Sequence, residues 1–363
     1  MAAAYTYLDH NATSPLRPVA LDAVVEALQA GGNPSSVHRP GRAARARLDK
    51  ARKQVAGLVG ALPSEVVFTS GGTEANNMAL RGHGRVLVSA IEHESVLRAV
   101  PDAERLPVDG NGLLDLATLE RLLAARPALV SVMLANNETG VIQPVAEVVR
   151  LARAAGALVH CDAVQAAGKV PVDLRGLGVD YLSLSAHKLG GPTGVGALVV
   201  RAGAPLATDR VGGGQEAWRR AGTENVAGIA GFGAAAEASR DGLTPALRDR
   251  LEASLPGKVH GAGAPRLPNT SCLSMPGVKA ETQVMALDLA GVAVSAGSAC
   301  SSGKVSRSAV LAAMGVDIAD AETAIRISCG WNTVFEDIER LIAAWQALYT
   351  RVTYSDFSGA RAA

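Results

Sequence analysis

Aromatic side chains are almost missing from this chain: Phe, Tyr and Trp together make up 3% of its 363 residues. Its core must therefore be built from alanine, valine and leucine, which a hydrophobic share of 48% allows. An excess of charge is missing too, with 35 Lys and Arg against 34 Asp and Glu. The resulting net charge of +1 offers no electrostatic footprint for nucleic acid or an anionic membrane. No apolar run is long and uninterrupted enough to span a bilayer, and residues 1–15 lack the basic head, apolar stretch and small-residue cleavage site of a leader. A cytoplasmic globular protein is expected, with neither nucleic acid nor membrane as partner. The four cysteines, Cys161, Cys272, Cys300 and Cys329, form no C-x-x-C pair, which argues against a zinc site and a disulfide framework. Internal repeats and low-complexity blocks are absent.

What is present is alternation. Strand-like runs at 66–70, 85–89, 129–134, 157–162 and 181–185 are interspersed with or preceded by apolar residues at helical spacing over 21–29, 43–58, 116–125 and 145–155. This pattern predicts an α/β fold, a mainly parallel sheet covered by helices. After Gly231 come an alanine-rich helix, a Gly- and Pro-rich stretch at 257–268, and strand and helix signals ending near Tyr349. A smaller C-terminal domain is expected from about residue 245, with a frayed tail over 353–363.

Chemistry collects where the strand runs end. Lys188 follows Tyr181-Leu182-Ser183-Leu184-Ser185 and precedes Leu189-Gly190-Gly191-Pro192, so an amine sits at a strand end among helix breakers. It is either a solvated lysine or the Schiff-base anchor of pyridoxal 5'-phosphate, which also needs a phosphate cradle and an acid for its pyridinium nitrogen. Thr69-Ser70-Gly71-Gly72-Thr73-Glu74 joins a strand to a helix and reads as a phosphate site or a plain capped turn. Without a G-K-[ST] lysine it is no nucleotide P-loop. Asp162, closing the run 157–162, is a pyridinium partner or a helix N-cap, with Gln165 three residues on. His160 shares its strand face, yet no third ligand stands at useful spacing, so no metal is expected.

His93, after the run 85–89, either stacks on a flat ligand and moves protons or simply packs. Asn136-Asn137-Glu138-Thr139-Gly140 offers amides to a ring hydroxyl, or makes an ordinary turn. In Ser295-Ala296-Gly297-Ser298-Ala299-Cys300-Ser301-Ser302-Gly303 a thiol lies among small residues, with Lys304 and Arg307 near enough to favour the thiolate. The alternative is an inert thiol in a linker, whereas Cys161 and Cys272 sit in apolar runs and read as core. Arg326, inside the apolar run Ala324-Ile325-Arg326-Ile327-Ser328, requires a carboxylate from the protein or from a substrate.

In order along the chain these motifs resemble the cysteine desulfurases of the class V aminotransferase superfamily, in the group serving nitrogenase and housekeeping iron-sulfur cluster assembly. The likeness also takes in Tyr7-Leu8-Asp9-His10-Asn11-Ala12-Thr13, Asn33-Pro34-Ser35-Ser36-Val37-His38 and Arg220-Ala221-Gly222-Thr223-Glu224-Asn225. It implies fold type I of the pyridoxal phosphate enzymes: a large domain over 15–245 with a mainly parallel seven-stranded sheet, and a smaller α+β domain from 1–14 and 246–363 carrying the cysteine loop. It further implies a homodimer with sites at the interface, L-cysteine as substrate, and a protein sulfur acceptor such as an iron-sulfur scaffold. By the resemblance Lys188 holds the cofactor and moves the substrate Cα proton, Asp162 pairs with the pyridinium nitrogen, Gln165 and Asn137 contact the ring oxygen, and His93 stacks on the ring. Gly72, Thr73, Ser185 and His187 hold the phosphate, joined by Thr223 of the other subunit. Arg326, with Asn33, clamps the substrate carboxylate, and Cys300 takes the sulfur as a persulfide while alanine leaves.

The stretch from Gly297 to Val310 resembles the longer loop of the first desulfurase group. The chain departs from the family at His10, where asparagine is commoner, at Thr193, where lysine is frequent, and at Cys329, where an aliphatic residue is usual. Its C-terminal region is also shorter than that with which housekeeping members dock a scaffold. Two alternatives stand beside this reading: a selenocysteine lyase or other class V aminotransferase, and a non-catalytic assembly protein that binds a sulfur acceptor.

Overall fold

The computed structural model describes residues 5–125, 128–297 and 308–359. After a two-residue strand β1 (Thr6–Tyr7), seven strands form the main sheet: β2 (Val66–Thr69), β3 (Val86–Ser89), β4 (Glu104–Leu106), β5 (Leu129–Ser131), β6 (Leu158–Asp162), β7 (Tyr181–Ser185) and β8 (Gly196–Val200). Their spatial order is β2-β8-β7-β6-β5-β3-β4. The run β7-β6-β5-β3-β4 is parallel, and β8 is antiparallel to both β2 and β7. The expected mainly parallel α/β sheet is therefore present. Valine and leucine fill its strands, buried on both faces as a helix-covered parallel sheet requires.

With the two strands added to the five runs read from the pattern, the sheet has the seven strands that the resemblance implies. β8 lies just beyond Gly190-Gly191-Pro192 and Gly194, breakers that hide a short apolar run, while β4 is a three-residue edge strand whose Glu104 and Arg105 face solvent. β8 also shapes the loop after β2. A Cβ at Gly196 would lie 2.6 Å from the Gly71 carbonyl carbon, so only glycine lets that strand pass so close.

The helices Pro18–Ala30 and Arg39–Leu58 pack with Val226–Glu237 on the sheet. The approach is close enough that a Cβ at Gly233 would lie 2.6 Å from Ala51 Cα. A second apolar cluster, separate from the sheet's own, joins Leu8 to Leu273, Ile325, Ile327 and Trp345. It backs a four-stranded antiparallel sheet, in which β9 (Lys258–Val259), β10 (Thr270–Ser274), β12 (Ser295–Ala296) and β13 (Ala324–Ser328) lie in the order β12-β13-β10-β9. β11 (Val292–Ala293) pairs in parallel with β1. The last helix, Phe335–Gly359, runs through most of the stretch read from sequence as a frayed tail. Once nucleated on the buried Trp345 and Leu348, it extends at little cost per residue.

Candidate active site

Because β2, β3, β5, β6 and β7 point the same way, their carboxyl ends deliver side chains to one edge, where open α/β sheets place ligands. A cavity of about 190 Å³ opens there. Nine residues singled out from the sequence line it: Gly72, Thr73, His93, Asn137, Asp162, Gln165, Ser185, His187 and Lys188.

At one end, Gly72 and Thr73 open the helix Gly72–Leu80, whose first amides have no intrahelical acceptor and suit an anion. A Cβ at Gly72 would come within 2.9 Å of Val164 Cγ2, so the glycine keeps this cradle open. Asp162, buried at the end of β6, accepts from the Asn76 side chain at 2.8 Å and from the Val164 amide at 2.9 Å. One oxygen caps the local turn, and each oxygen keeps a lone pair for another donor. Beside it Glu92 is fully buried, and burial followed by the Asp162 charge raises its pKa well above the usual carboxyl value.

The Ser95 amide donates to His93 Nδ1 at 3.1 Å, which places the ring proton of the neutral imidazole on Nε2. Ser95 Oγ bonds that same nitrogen and also receives Asn76 Nδ2, so His93, Ser95, Asn76 and Asp162 form one chain of contacts. His187 is held neutral over most of the pH range, its pKa lowered to about 4 by burial and then by Lys188. Lys188 closes the short 3-10 turn Ala186–Lys188 that follows β7. Its ammonium rests on the carbonyl oxygens of Asn11 and, at 2.8 Å, Ala12. The next glycine, Gly190, adopts φ +79°, and a side chain there would strike Arg17 and Pro15.

Three candidates are not in the cavity wall. Arg326 is buried on β13, where Nη2 pairs with Asp9 Oδ1 at 2.6 Å and Nη1 donates to the Asn137 carbonyl at 3.2 Å. A carboxylate partner is thus supplied within the chain by Asp9, while the buried Nε makes no hydrogen bond. Asn33 is exposed and uses Oδ1 to accept from the Ser35 amide at 2.9 Å. Thr223 is exposed as well, although Arg220 of the same motif reaches Glu74 beside the phosphate cradle at 2.9 Å. Cys300 lies outside the described residues.

Of the other thiols, Cys161 and Cys272 are buried and their pKa values raised by burial, and Cys329 is pushed up to about 12 for the same reason. His160 spends both ring nitrogens on Ser131 and Ser183 hydroxyls, at 2.8 and 2.9 Å. No cluster able to hold a metal occurs among the described residues.

Sequence reasoning assigned no role to Asn76, Asn11 and Glu138, which lie inside its motifs, and did not mark Lys169. An asparagine inside a helix is itself a signal, since it is a poor helix former there. The others acquire partners only through tertiary approach. Glu138 is buried, accepts from Ser308 Oγ, and has its pKa raised to about 7 by burial against the lowering effects of Ser308 and Arg326.

An anion cradle, a buried carboxylate, a flat imidazole and a lysine amine facing one cavity fit pyridoxal phosphate, whose phosphate, pyridinium nitrogen, ring and aldehyde each require one of them. The model of the aminotransferase class-V family matches residues 6–341. This chain belongs to that family and, within it, to the cysteine desulfurases. A cysteine desulfurase of Cereibacter sphaeroides is 47% identical over 361 residues, 93% of each chain. A NifS-like protein of Rickettsia africae superposes with a TM-score of 0.88 at 34% identity, covering 95% of this chain and 99% of that one. The structure of SspA in complex with cysteine gives 0.80 at 28% identity, covering 91% and 100%.

Proposed function

We propose that this protein is a pyridoxal phosphate-dependent cysteine desulfurase that converts L-cysteine to L-alanine and passes the sulfur on as a persulfide of Cys300. The observation that carries the reading is the convergence of Asp162 and Lys188, from adjacent strands β6 and β7, on one cavity beside an anion cradle. Pyridoxal phosphate, when bound there, supplies an electron sink for the bond changes at the substrate. Asp162 keeps the pyridinium nitrogen protonated, Gln165 and Asn137 hold the ring oxygen, and His93 covers the ring. Gly72, Thr73, Ser185 and His187 hold the phosphate, with Thr223 contributed by a second copy of the chain. Lys188, on leaving the cofactor, is an amine able to take the substrate Cα proton. Arg326, whose Nε is not engaged by the Asp9 pair, receives the substrate carboxylate together with Asn33.

The Cys300 thiolate attacks the substrate sulfur; an S–S bond forms, the C–S bond breaks with its electron pair on carbon, and protonation of that carbon completes alanine. One cysteine and one thiol thus give one alanine and one persulfide, with no external oxidant. The protein works as a homodimer in the cytoplasm and serves an acceptor protein in iron-sulfur cluster assembly or thiolation. Residues 15–245 form the cofactor domain, and 1–14 with 246–363 the domain carrying Cys300.

The test is mass spectrometry of the Cys300 peptide after incubation with L-cysteine, where one added sulfur is expected. Cys300→Ser should keep the yellow colour and lose alanine formation from cysteine. Full activity in that variant refutes the persulfide step, and selenocysteine cleavage surviving alone would indicate a lyase. Lys188→Ala should lose the visible absorption of the lysine-bound cofactor.

A further inference from the structure

Lys169 lies one turn beyond Gln165, fully buried, in a place that no motif marks. Its ammonium donates to Gln165 Oε1 at 2.7 Å and to Asn11 Oδ1 at 2.6 Å. Nζ is the donor in both contacts, so both amides turn their oxygens toward it and their nitrogens away. For Gln165 the consequence is direct. Nε2 gives one hydrogen to the Asn11 carbonyl at 2.9 Å, and the side chain lines the main cavity with its second N–H still to spend. For Asn11, Nδ2 is sent to the Asn137 carbonyl at 3.1 Å and Thr270 Oγ1 at 2.9 Å, which anchors the neighbouring residue of the cavity wall.

We propose that Lys169 is a positioning residue: it fixes the Gln165 amide with nitrogen toward the cavity, so that the site offers a donor to the cofactor's ring oxygen and holds that oxygen as an anion. The inference rests on the cavity being the pyridoxal phosphate site. Two neutral amide oxygens, and no carboxylate, are the acceptors that hold the Lys169 amine. Lys169 also borders a second cavity of about 20 Å³, room for one water, lined by His10, Arg17, Lys188 and Cys329 and by no carboxylate. Of the titratable groups facing Lys169, Lys188 and Arg326 are cationic, and both act with burial to lower the affinity of Lys169 for its proton. His10 is neutral, its pKa lowered to about 4 by burial and then by Lys169. An amide that donates to the ring oxygen weakens that oxygen's hold on the proton carried by the Lys188 nitrogen. Removing the donor, or the amine that orients it, makes the proton harder to lose.

The test is a pH titration of the visible absorption of the purified holoenzyme and of its Lys169→Met, Gln165→Met and doubly substituted forms. Lys169→Met is expected to keep the colour and raise the midpoint by about one pH unit. If Lys169 acts through Gln165, the double variant should shift no further than the larger single shift. A midpoint within about 0.2 unit of wild type, or shifts that add in the double variant, overturns the proposal. Lys169→Gln, which keeps the site polar, should shift the midpoint the same way and decides the matter if the methionine variant does not fold. A wild-type protein that takes up no pyridoxal phosphate is a different result, and it refutes the cofactor assignment itself.

Discussion

Glu138 shows how a single buried side chain couples the site to pH. Its carboxyl is almost wholly buried, and burial lifts its pKa from 4.5 to about 7 in spite of Ser308 and Arg326. The folded state therefore holds a proton that the unfolded chain releases between those two values. The stability this contributes is fully present below pH 4.5 and is lost as pH rises through about 7. His10, His160 and His187, with pKa values lowered to about 4, act in the opposite sense: their contribution is present above the unfolded value and is lost as pH falls toward 4. The two effects overlap in the wild-type profile, so the informative quantity is the difference from a variant. Glu138→Gln keeps an acceptor for Ser308 and cannot ionise. It is expected to match wild type near pH 4.5 and to exceed it by about 3 kcal/mol at pH 8 in urea unfolding. Equal stability at both pH values would show that Glu138 ionises in the folded protein as readily as in the unfolded chain.

At the level of elements, the segment after the triple glycine 212–214 carries the clearest backbone strain. Glu216, Ala217 and Trp218 have φ of 49°, 55° and 66°, a left-handed turn costing about 1 kcal/mol or more for each non-glycine residue. What holds it is a buried ion pair. Glu216 takes both Nη atoms of Arg52 at 2.6 and 2.7 Å and accepts from the Phe68 amide at 2.9 Å, while the Arg52 guanidinium lies 4.7 Å from the centre of the Phe68 ring. One carboxylate thereby ties the helix Arg39–Leu58, strand β2 and the turn leading to Arg220 and Thr223 into one unit. Glu216→Gln leaves Arg52, whose side chain is 14% exposed, without its charge partner and is expected to cost about 2 kcal/mol in denaturant unfolding. A loss below about 1 kcal/mol would mean that the pair is dispensable to the turn.

The same scale explains what could be read from the sequence. The five strand runs are legible because β-branched and leucine residues fill segments buried on both faces, and the strand-end rule then places nine candidate residues at one cavity. β8 was hidden by the breakers around it, and β4 by its charges. The roles of Asn11, Lys169 and Glu138 were illegible for another reason: each gains its partners from residues more than a hundred positions away or from a turn that the sequence does not mark. The Arg326 motif was legible as needing a carboxylate. That Asp9 supplies it depends on the N-terminal segment crossing to β13, which local pattern does not specify.

The whole molecule poses the question of Thr223, which is exposed rather than in the wall of its own chain's cavity. Two large apolar side chains close to it in sequence, Val211 and Trp218, are exposed as well. A homodimer in which Thr223 completes the partner's phosphate cradle accounts for both observations, and it makes a prediction that a monomeric site cannot meet. Thr223→Asp sets a carboxylate against the phosphate, and Lys188→Ala removes the anchoring amine, so homodimers of either variant should be inactive. In a mixed dimer, if Thr223 acts across the interface, one site receives both defects and the other receives Lys188 from one chain and Thr223 from the other, both intact. Co-expressed, differently tagged chains isolated as the mixed dimer should therefore recover about half of the wild-type activity. If Thr223 serves its own chain's cavity, each site keeps one defect and the mixed dimer stays as inactive as the parents.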